Sequence, residues 1–191
     1  MDLNAADGGH RRYILVQLDE AVDHPDYHTI ADLARERLRR AGAQAKQEAG
    51  LLGANIDVGF RSLHIATTNM ADTLATADDL MQIALSDAVG SVKPGRTDED
   101  LLFQVLLDWG LDLAEPITVE EVGGRCVLSV ADDALIACFA DEITNDVVLD
   151  IAKRRPLRTV FLDAGFASDA ARINAEQIFR EVSPETEVRA I

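Results

Sequence analysis

The sequence predicts an α/β protein in which an N-terminal strand and helix precede a small α/β domain with a mixed sheet. Two observations support this fold class. The run RRYILVQLDE near the N-terminus is typical of a short buried strand, and a strongly helical pattern follows it. The last third of the chain has the order of a β-meander followed by β-α-β-α-β.

Length and composition allow a folded protein with a real core. The 191 residues are enough for one domain, or for one domain and part of another, and 48% of them are apolar. No stretch approaches the apolar length that crosses a bilayer, and the N-terminus lacks the basic-then-apolar order of a signal peptide. The cytoplasm is therefore the expected compartment, with no membrane partner.

The net charge of −16 is unevenly distributed along the chain. Residues 1–52 carry 7 basic and 9 acidic side chains, whereas residues 53–191 carry 11 and 25. A phosphate backbone repels such an acidic surface, so residues 53–191 alone are a poor candidate for DNA binding. An acidic surface of this kind serves solubility or meets a basic protein partner.

The first two elements together make half of a βαβ unit. The strand is predicted at 12–18, where a continuous apolar run indicates burial on both faces, as in a parallel sheet. The helix is predicted at 27–48, with Pro25 and Thr29 marking its start. Apolar residues at helical spacing support it: Ile30, Leu33, Ala34, Leu38, Ala41 and Ala45.

The sequence predicts three regions: a first region at 1–52, a connector at 53–96 and a C-terminal α/β domain at 97–191. The connector is predicted to hold a strand in GFRSLHIA and a helix near 73–89. In the C-terminal domain, Thr97 and Asp100 form a capping-box pattern that opens a helix. Gly123-Gly124 predicts a tight hairpin turn between ITVEEV and RCVLSV. The remaining elements follow in order: the turn ADD at 131–133, the strand ALIACF, the helix ITNDVVLDIAKR, the strand TVFLDA, a helix from Ser168 or Asp169, and the strand TEVRAI.

Cys126 and Cys138 are too few for a disulfide scaffold. They fall on the two arms of a predicted hairpin, where they could face each other. In a reducing compartment, small buried apolar side chains are the favoured interpretation.

Conventional catalytic and ligand-binding motifs are sparse, since the sequence has no Gly-rich phosphate loop, nucleophile elbow or paired C-x-x-C. The stretch DHPDYH places His24 and His28 four residues apart, with Asp23 and Asp26 beside them. One helical turn would put both imidazoles on one face, as a metal site requires. Pro25 instead favours a solvated loop and helix start.

Three other features have both a functional and a structural interpretation. The basic run RERLRR at 35–40 could contact phosphates, but basic residues toward a helix C-terminus also suit the helix dipole. Asp163 lies where a strand meets a helix, a common ligand position in parallel sheets, although a turn with a helix cap is favoured. Asp19 and Glu20 end the first strand, where a carboxylate can accept hydrogen bonds from both ribose hydroxyls of a nucleotide-like cofactor.

Taken together, several segments resemble the C-terminal part of the modification subunit of type III restriction–modification systems. Those subunits are site-specific DNA methyltransferases that act on the adenine N6-amino group. The matching segments cover nearly the whole chain in order: GGHRRYILVQLDE, YHTIADLARERLRRAG, DVGFRSLHI, DEDLLFQVLLDWGLDL, and DAGFASDAARINAEQIF with TEVRAI.

The resemblance implies that the strand at 12–18 and the following helix are a remnant of a Rossmann-like methyltransferase sheet that binds S-adenosylmethionine. The residue at the end of this strand holds the cofactor ribose in the family. Gln17 occupies the position that is commonly acidic, so Asp19 or Glu20 is expected to share or replace its role. The complete enzyme is expected to use S-adenosylmethionine.

This chain contains neither the F-x-G-x-G cofactor loop nor the D-P-P-Y tetrad of the family. We therefore expect it to bind no cofactor and to methylate no DNA on its own, and to meet DNA only through the complete enzyme. The expected partners are the methyltransferase and restriction subunits of the same system. Two alternatives remain open: a module at 53–191 for subunit assembly, including homodimerisation, and a small independent enzyme that uses Asp163 or the His24–His28 pair.

Overall fold

The computed structural model describes residues 2–9, 11–50, 56–71 and 92–191. The chain forms two compact units, unit 1 (Met1–Ile65) and unit 2 (Ala66–Ile191). The sequence-based division at 1–52, 53–96 and 97–191 places its boundaries elsewhere and stays a prediction.

Unit 1 contains the helices α1 (Asp2–Asp7) and α2 (Ile30–Glu48). A capping box opens α2, because the Asp32 amide donates to the Thr29 hydroxyl at 3.2 Å and the Thr29 amide donates to the Asp32 carboxylate at 3.0 Å. The predicted helix is therefore present, but it begins at Ile30 after the Thr29 cap, three residues later than the predicted 27–48.

The strand predicted at 12–18 is wrong for this structure, since residues 11–20 have no regular secondary structure. The strand predicted in GFRSLHIA is also absent, because residues 59–66 belong to neither a helix nor a strand. A strand requires a neighbouring strand for its amides and carbonyls, and in the described part of unit 1 neither segment is paired in a sheet. The helix predicted near 73–89 lies outside the described residues.

Unit 1 has little core in its described part. Along α2 the only buried residues are Gly42 and Ala45. Ile30, Leu33 and Leu38, which belong to the predicted apolar face, are only half-buried. An amphipathic helix gains most of its stability when other residues cover its apolar face. The described residues of unit 1 cover this face of α2 only in part.

Unit 2 is built around a mixed five-stranded sheet with the spatial order β1-β2-β3-β4-β5. Strands β1 to β3 pair antiparallel, whereas β3, β4 and β5 pair parallel. The predicted meander followed by β-α-β-α-β is therefore confirmed. In chain order the elements are α3 (Asp98–Asp108), β1 (Ile117–Val122), β2 (Arg125–Val130), β3 (Leu135–Cys138), α4 (Asn145–Lys153), β4 (Arg158–Phe161), α5 (Asp169–Val182) and β5 (Glu187–Ala190).

Short-range signals fix the ends of several of these elements. Gly123 and Gly124 both have positive φ, 58° and 77°, as a two-residue type I′ hairpin turn requires. The register that pairs Val122 with Arg125 follows from this turn. The capping box of Thr97 and Asp100 opens α3, as predicted.

The turn between β2 and β3 uses three consecutive residues of positive φ, Ala131 to Asp133. Such residues are strained unless their surroundings hold them. The Asp133 amide donates to the Ser129 hydroxyl at 3.1 Å, and this hydroxyl donates to the Asp133 carboxylate at 2.6 Å. Arg154, at the end of α4, adds an ion pair with Asp133 at 3.1 Å and another with Glu120 of β1 at 2.6 Å.

Helices cover both faces of the sheet. On one face α3 packs Leu102, Val105 and Leu106 against residues such as Leu135 and Val160. On the other face α4 and α5 pack against the sheet, and the packed residues include Val147, Ile151, Phe179, Ile136 and Phe161. The predicted α/β fold class is therefore confirmed, with the mixed sheet as the middle of three layers. No helix in the described ranges is long and apolar enough to span a membrane.

The loops that follow β3 and β4 touch each other at Gly165. The Ile143 amide donates to the Gly165 carbonyl at 2.8 Å. A Cβ at Gly165 would lie 2.2 Å from the Ala140 carbonyl oxygen and 2.8 Å from the Ile143 Cδ1 atom. The carboxyl ends of two parallel strands, where α/β proteins usually bind ligands, are therefore closed here by backbone contact.

We predict that Gly165→Ala lowers the free energy of unfolding of unit 2 by about 1–3 kcal/mol, the usual cost of overpacking a dense site. Chemical denaturation followed by circular dichroism measures this change. Ala164→Ser, at the exposed neighbouring position, is the matched control and should leave the midpoint unchanged. Equal stability of Gly165→Ala and the control would contradict the close approach of the two loops.

Candidate functional site

The three residues that the resemblance assigns to the cofactor ribose lie on the irregular segment before α2. Gln17, Asp19 and Glu20 are all exposed. The Gln17 side-chain amide donates to the Leu18 carbonyl at 3.2 Å, while the Glu20 carbonyl accepts the Ile30 amide at 2.9 Å. The main chain of Glu20 is thus anchored at the start of α2. The ribose role of these side chains stays a prediction.

Residues 13–18 expose their apolar side chains to solvent. Ile14 is 91% exposed and Val16 is 89% exposed, and Tyr13, Leu15 and Leu18 are at least half-exposed. Within the described residues, the main chain of residues 13–16 makes no hydrogen bond. Apolar side chains on an unpaired main chain are typical of a strand that lacks its sheet.

The loop DHPDYH is held by local contacts. The His24 Nδ1 atom accepts the Asp26 amide at 3.1 Å, and its ring lies 4.9 Å from the ring of Tyr27. The His28 amide donates to the Asp32 carboxylate at 3.2 Å. Across the described ranges, no three His, Cys, Asp or Glu side chains come close enough to hold a metal ion.

The basic run at 35–40 lies beside carboxylates of the same helix. Arg35 pairs with Asp32, and Arg40 pairs with Glu36 at 2.8 Å. The Arg35 guanidinium, with the Thr29 hydroxyl, holds the pKa of the Asp32 carboxyl below its usual range. The Glu36 carboxylate correspondingly raises the pKa of Arg40. These pairs reduce the positive potential along α2, and phosphate contact stays a prediction.

Asp163 lies at the carboxyl end of β4 and begins a short 3-10 turn, Asp163–Gly165. Its carboxylate is 3.5 Å from the Arg172 guanidinium of α5, and its amide donates to the Ile191 carbonyl at 2.8 Å. The predicted turn is confirmed, but the helix cap is Ser168, whose hydroxyl accepts the Ala171 amide.

Sequence reasoning missed a group of side chains near the carboxyl ends of β3 and β4, the same end of the sheet as Asp163. Burial, with the charge of Asp141 as a second cause, raises the pKa of the Asp98 carboxyl at the start of α3. Burial and then the charge of Asp98 raise the pKa of the Cys126 thiol. Antiparallel pairing brings the start of β2 beside the end of β3 and so assembles residues that are far apart in the sequence.

The two cysteines do not face each other. The register that pairs Leu128 with Ala137 continues to place Cys126 opposite Phe139 rather than Cys138. Successive side chains alternate between faces, so Cys138 is buried in the core beside α4 and α5 while Cys126 is exposed on the opposite face. The favoured interpretation of small buried side chains is therefore confirmed for Cys138 and wrong for Cys126. A three-residue turn at 131–133 would have set the two cysteines opposite each other, but Val130 pairs with Leu135, so the turn has four residues and shifts the register by one position.

The structure has one further surface at the opposite end of the strands, beside the amino ends of β4 and β5. The guanidinium groups of Arg158 and Arg189 lie 5.2 and 5.1 Å from the ring centre of Trp109, and Glu187 pairs with both arginines. These contacts hold the edge strand β5 against the end of α3.

No protein-family model matches the chain. A search of curated proteins finds similarity to the Mod subunit of the type III restriction–modification enzyme StyLTI from Salmonella typhimurium strain LT2. The two chains are 36% identical over 86 residues, which is 42% of this chain and 12% of the Mod subunit. This chain thus spans a small part of the length of that relative.

We predict that a thiol reagent labels Cys126 in the folded protein and reaches Cys138 only after unfolding. The labelling rate of Cys126 should increase with pH beyond the ordinary thiol range, since the thiolate reacts and its pKa is raised. Asp98→Asn removes a negative charge and should speed labelling at a given pH, whereas Glu99→Gln, an exposed neighbour, should not. Stopped-flow absorbance measures the rates, and equally fast labelling of both thiols would contradict this geometry.

Proposed function

We propose that this chain is a C-terminal part of a type III restriction–modification DNA methyltransferase subunit that modifies the adenine N6-amino group. The observation that carries the proposal is the 36% identity to a Mod subunit over 86 residues. The complete enzyme would use S-adenosylmethionine and would assemble with the methyltransferase and restriction subunits of its system.

The exposed segment of unit 1 supports this proposal. Residues 13–18 have the composition of a buried strand, yet their side chains are exposed and the main chain of residues 13–16 is unpaired within the described residues. In the proposed enzyme this segment is an interior strand of the S-adenosylmethionine-binding sheet. Gln17, Asp19 and Glu20 then lie at its carboxyl end, where the cofactor ribose is bound.

The proposed part contributes no methyl transfer by itself. The family's cofactor loop F-x-G-x-G and tetrad D-P-P-Y are absent from this sequence, and they supply the methionine cradle and the acceptors that orient the target amino group. We predict that isothermal titration calorimetry detects no S-adenosylmethionine binding to the chain alone. Heat of specific binding at a stoichiometry of one would contradict this prediction.

Two experiments test the proposed origin. Reading the coding sequence immediately upstream should reveal both motifs, in the same or a shifted frame, and an unrelated gene there would overturn the proposal. Co-expression of the chain with that upstream polypeptide should yield a complex that transfers a labelled methyl group to adenine in DNA. A complex without such activity would also count against the proposal.

A pair of substitutions tests the buried strand within that complex. Ile14→Asp with Val16→Asp should leave the isolated chain as stable as before, because both side chains are already exposed there. In the complex both carboxylates would be buried without partners, so assembly and methyl transfer should be lost. The matched control is Leu107→Asp with Ile173→Asp, two exposed apolar positions of unit 2, which should retain both activities. Retained methyl transfer in the first variant would overturn the assignment of this strand.

The second candidate function is an assembly module that binds protein partners. The specific observation in its favour is that unit 2 has its own sheet with a packed core on each face. The acidic excess of residues 53–191 suits a basic protein surface rather than DNA. Pull-down of the restriction subunit by the chain, weakened by added salt, would support this function, and the absence of binding at micromolar concentration would contradict it.

A further inference from the structure

An apolar pocket of about 370 Å³ lies in unit 2, beside the amino ends of β3 and β4. Two of the residues that line it, Glu115 and Arg158, carry opposite charges. Its volume is near the lower end of the roughly 300–1,000 Å³ that is typical of ligand pockets, so it suits a small molecule. The other lining residues are all apolar: Leu111, Val130, Ala131, Ala134, Leu135 and Leu157.

Main-chain hydrogen bonds fix the walls of this pocket. The Ala131 amide donates to the Pro116 carbonyl at 3.0 Å, which holds the loop after α3 against the turn between β2 and β3. The Arg158 amide donates to the Ala134 carbonyl at 3.0 Å, which holds the start of β4 against the same turn. A pocket whose walls are already bonded to each other loses little conformational freedom when a ligand binds.

The Arg158 guanidinium is held in place but keeps donors for a ligand. It lies 5.2 Å from the ring centre of Trp109, and its Nε atom is 3.4 Å from the Glu187 carboxylate. Its two terminal nitrogens donate no hydrogen bond to any described residue. Arg189 also pairs with Glu187, at 2.6 Å, so one carboxylate serves two guanidinium groups and the local charge stays positive. The terminal nitrogens of an arginine can bind both oxygens of a carboxylate, which makes Arg158 suited to a ligand with such a group.

Glu115 supplies a negative charge at the same pocket. Its residue is half-buried, and its amide donates to the Asp112 carbonyl at 3.3 Å. Pro116 follows it and restricts its main chain further. A carboxylate has about four acceptor sites, so Glu115 can bind an ammonium group besides its existing contacts. The pocket therefore has a negative and a positive group around one apolar space.

We propose that this pocket binds an apolar α-amino acid of about the size of leucine. Its α-carboxylate binds Arg158, and its α-ammonium group binds Glu115. Its side chain packs against Leu111, Leu135 and Leu157. Leu157 is 69% exposed, so the ligand covers apolar surface that is otherwise in contact with water. A zwitterion uses both charged residues, whereas a simple carboxylic acid or a simple amine uses only one of them.

This binding goes beyond the proposed function and is measured independently of it. The residues that line the pocket belong to unit 2, whereas the predicted cofactor residues Gln17, Asp19 and Glu20 belong to unit 1. Amino-acid binding is a property of the chain alone, but methyl transfer requires the upstream polypeptide. Failure of one of the two therefore leaves the other standing.

The test is an NMR titration of the full-length, isotope-labelled chain with L-leucine. Saturable shifts of the amide signals of Ala131, Ala134 and Leu157 should give a dissociation constant of about 1 mM or lower. Isocaproate lacks the ammonium group and isoamylamine lacks the carboxylate, so each should bind at least about tenfold more weakly than leucine. N-acetyl-leucine amide lacks both charges, as a leucine within a protein chain does, and it should also bind at least about tenfold more weakly.

Two charge variants test the role of each polar group. Glu115→Gln should weaken leucine binding at least about tenfold without weakening isocaproate binding, because isocaproate has no ammonium group to lose its partner. Arg158→Gln should weaken leucine binding in the same way without weakening isoamylamine binding. The matched controls are Glu121→Gln and Arg155→Gln, at exposed positions outside the pocket, and both should bind leucine like the natural chain. Circular dichroism checks that every variant is folded.

A third variant tests the apolar wall. Leu157→Ser should weaken leucine binding at least about threefold, because less apolar surface is removed from water. Leu107→Ser, at a similarly exposed leucine that does not line the pocket, is the matched control and should bind leucine unchanged. The proposal would be overturned by a chain that shows no saturable leucine binding, or by pocket variants that bind leucine as tightly as their controls. Equal binding of N-acetyl-leucine amide would also overturn it, and would indicate a groove for an apolar side chain of a protein partner.

Discussion

Strand β3 is the element on which the rest of unit 2 depends. Leu135 to Ala137 pair antiparallel with β2 on one side, and all four residues of β3 pair parallel with β4 on the other, so β3 joins the meander to the β-α-β-α-β half. Its side chains alternate between the two cores, with Leu135 and Ala137 toward α3 and Ile136 and Cys138 toward α4 and α5. A strand buried in this way satisfies its main chain on both edges and fills both hydrophobic layers.

The segment at 13–18 shows what the same kind of sequence does without those neighbours. Like β3 it is rich in apolar residues with a high preference for strands, with Gln17 as its one polar residue. β3 is fully buried and paired along both edges, whereas this segment is irregular and exposed. The difference lies in the surroundings, because a strand is stabilised by tertiary pairing far more than by its own composition. This constraint connects the fold and the proposed function.

Local signals made most of unit 2 predictable from sequence. The two glycines at 123 and 124, the capping box at Thr97 and the cap at Ser168 each act within a few residues, and the structure has all of them. Strand 12–18 could not be judged in this way, since its formation depends on partners outside the segment. The exposure of Cys126 was missed for a related reason, because a one-residue difference in register moves a side chain to the other face.

The candidate site was less predictable than the fold. Gln17, Asp19 and Glu20 were assigned from a resemblance, and their role depends on a sheet that the described part of unit 1 does not form. The group around Asp98, Asp141 and Cys126 arises only when α3 packs on the sheet and antiparallel pairing sets β2 beside β3. No periodicity or short motif predicts such a group, because its members are far apart in the sequence.

The proposed position of residues 13–18 inside a complete sheet follows from the same constraint. A strand with one neighbour keeps one main-chain edge and much of both faces in contact with water. An interior position in a sheet satisfies both edges and covers both faces with helices, as β3 illustrates in unit 2. Burial of more apolar area and more paired main chain favours the complete sheet. Under the proposed function, a polypeptide that completes the sheet should therefore take up this segment as an interior strand.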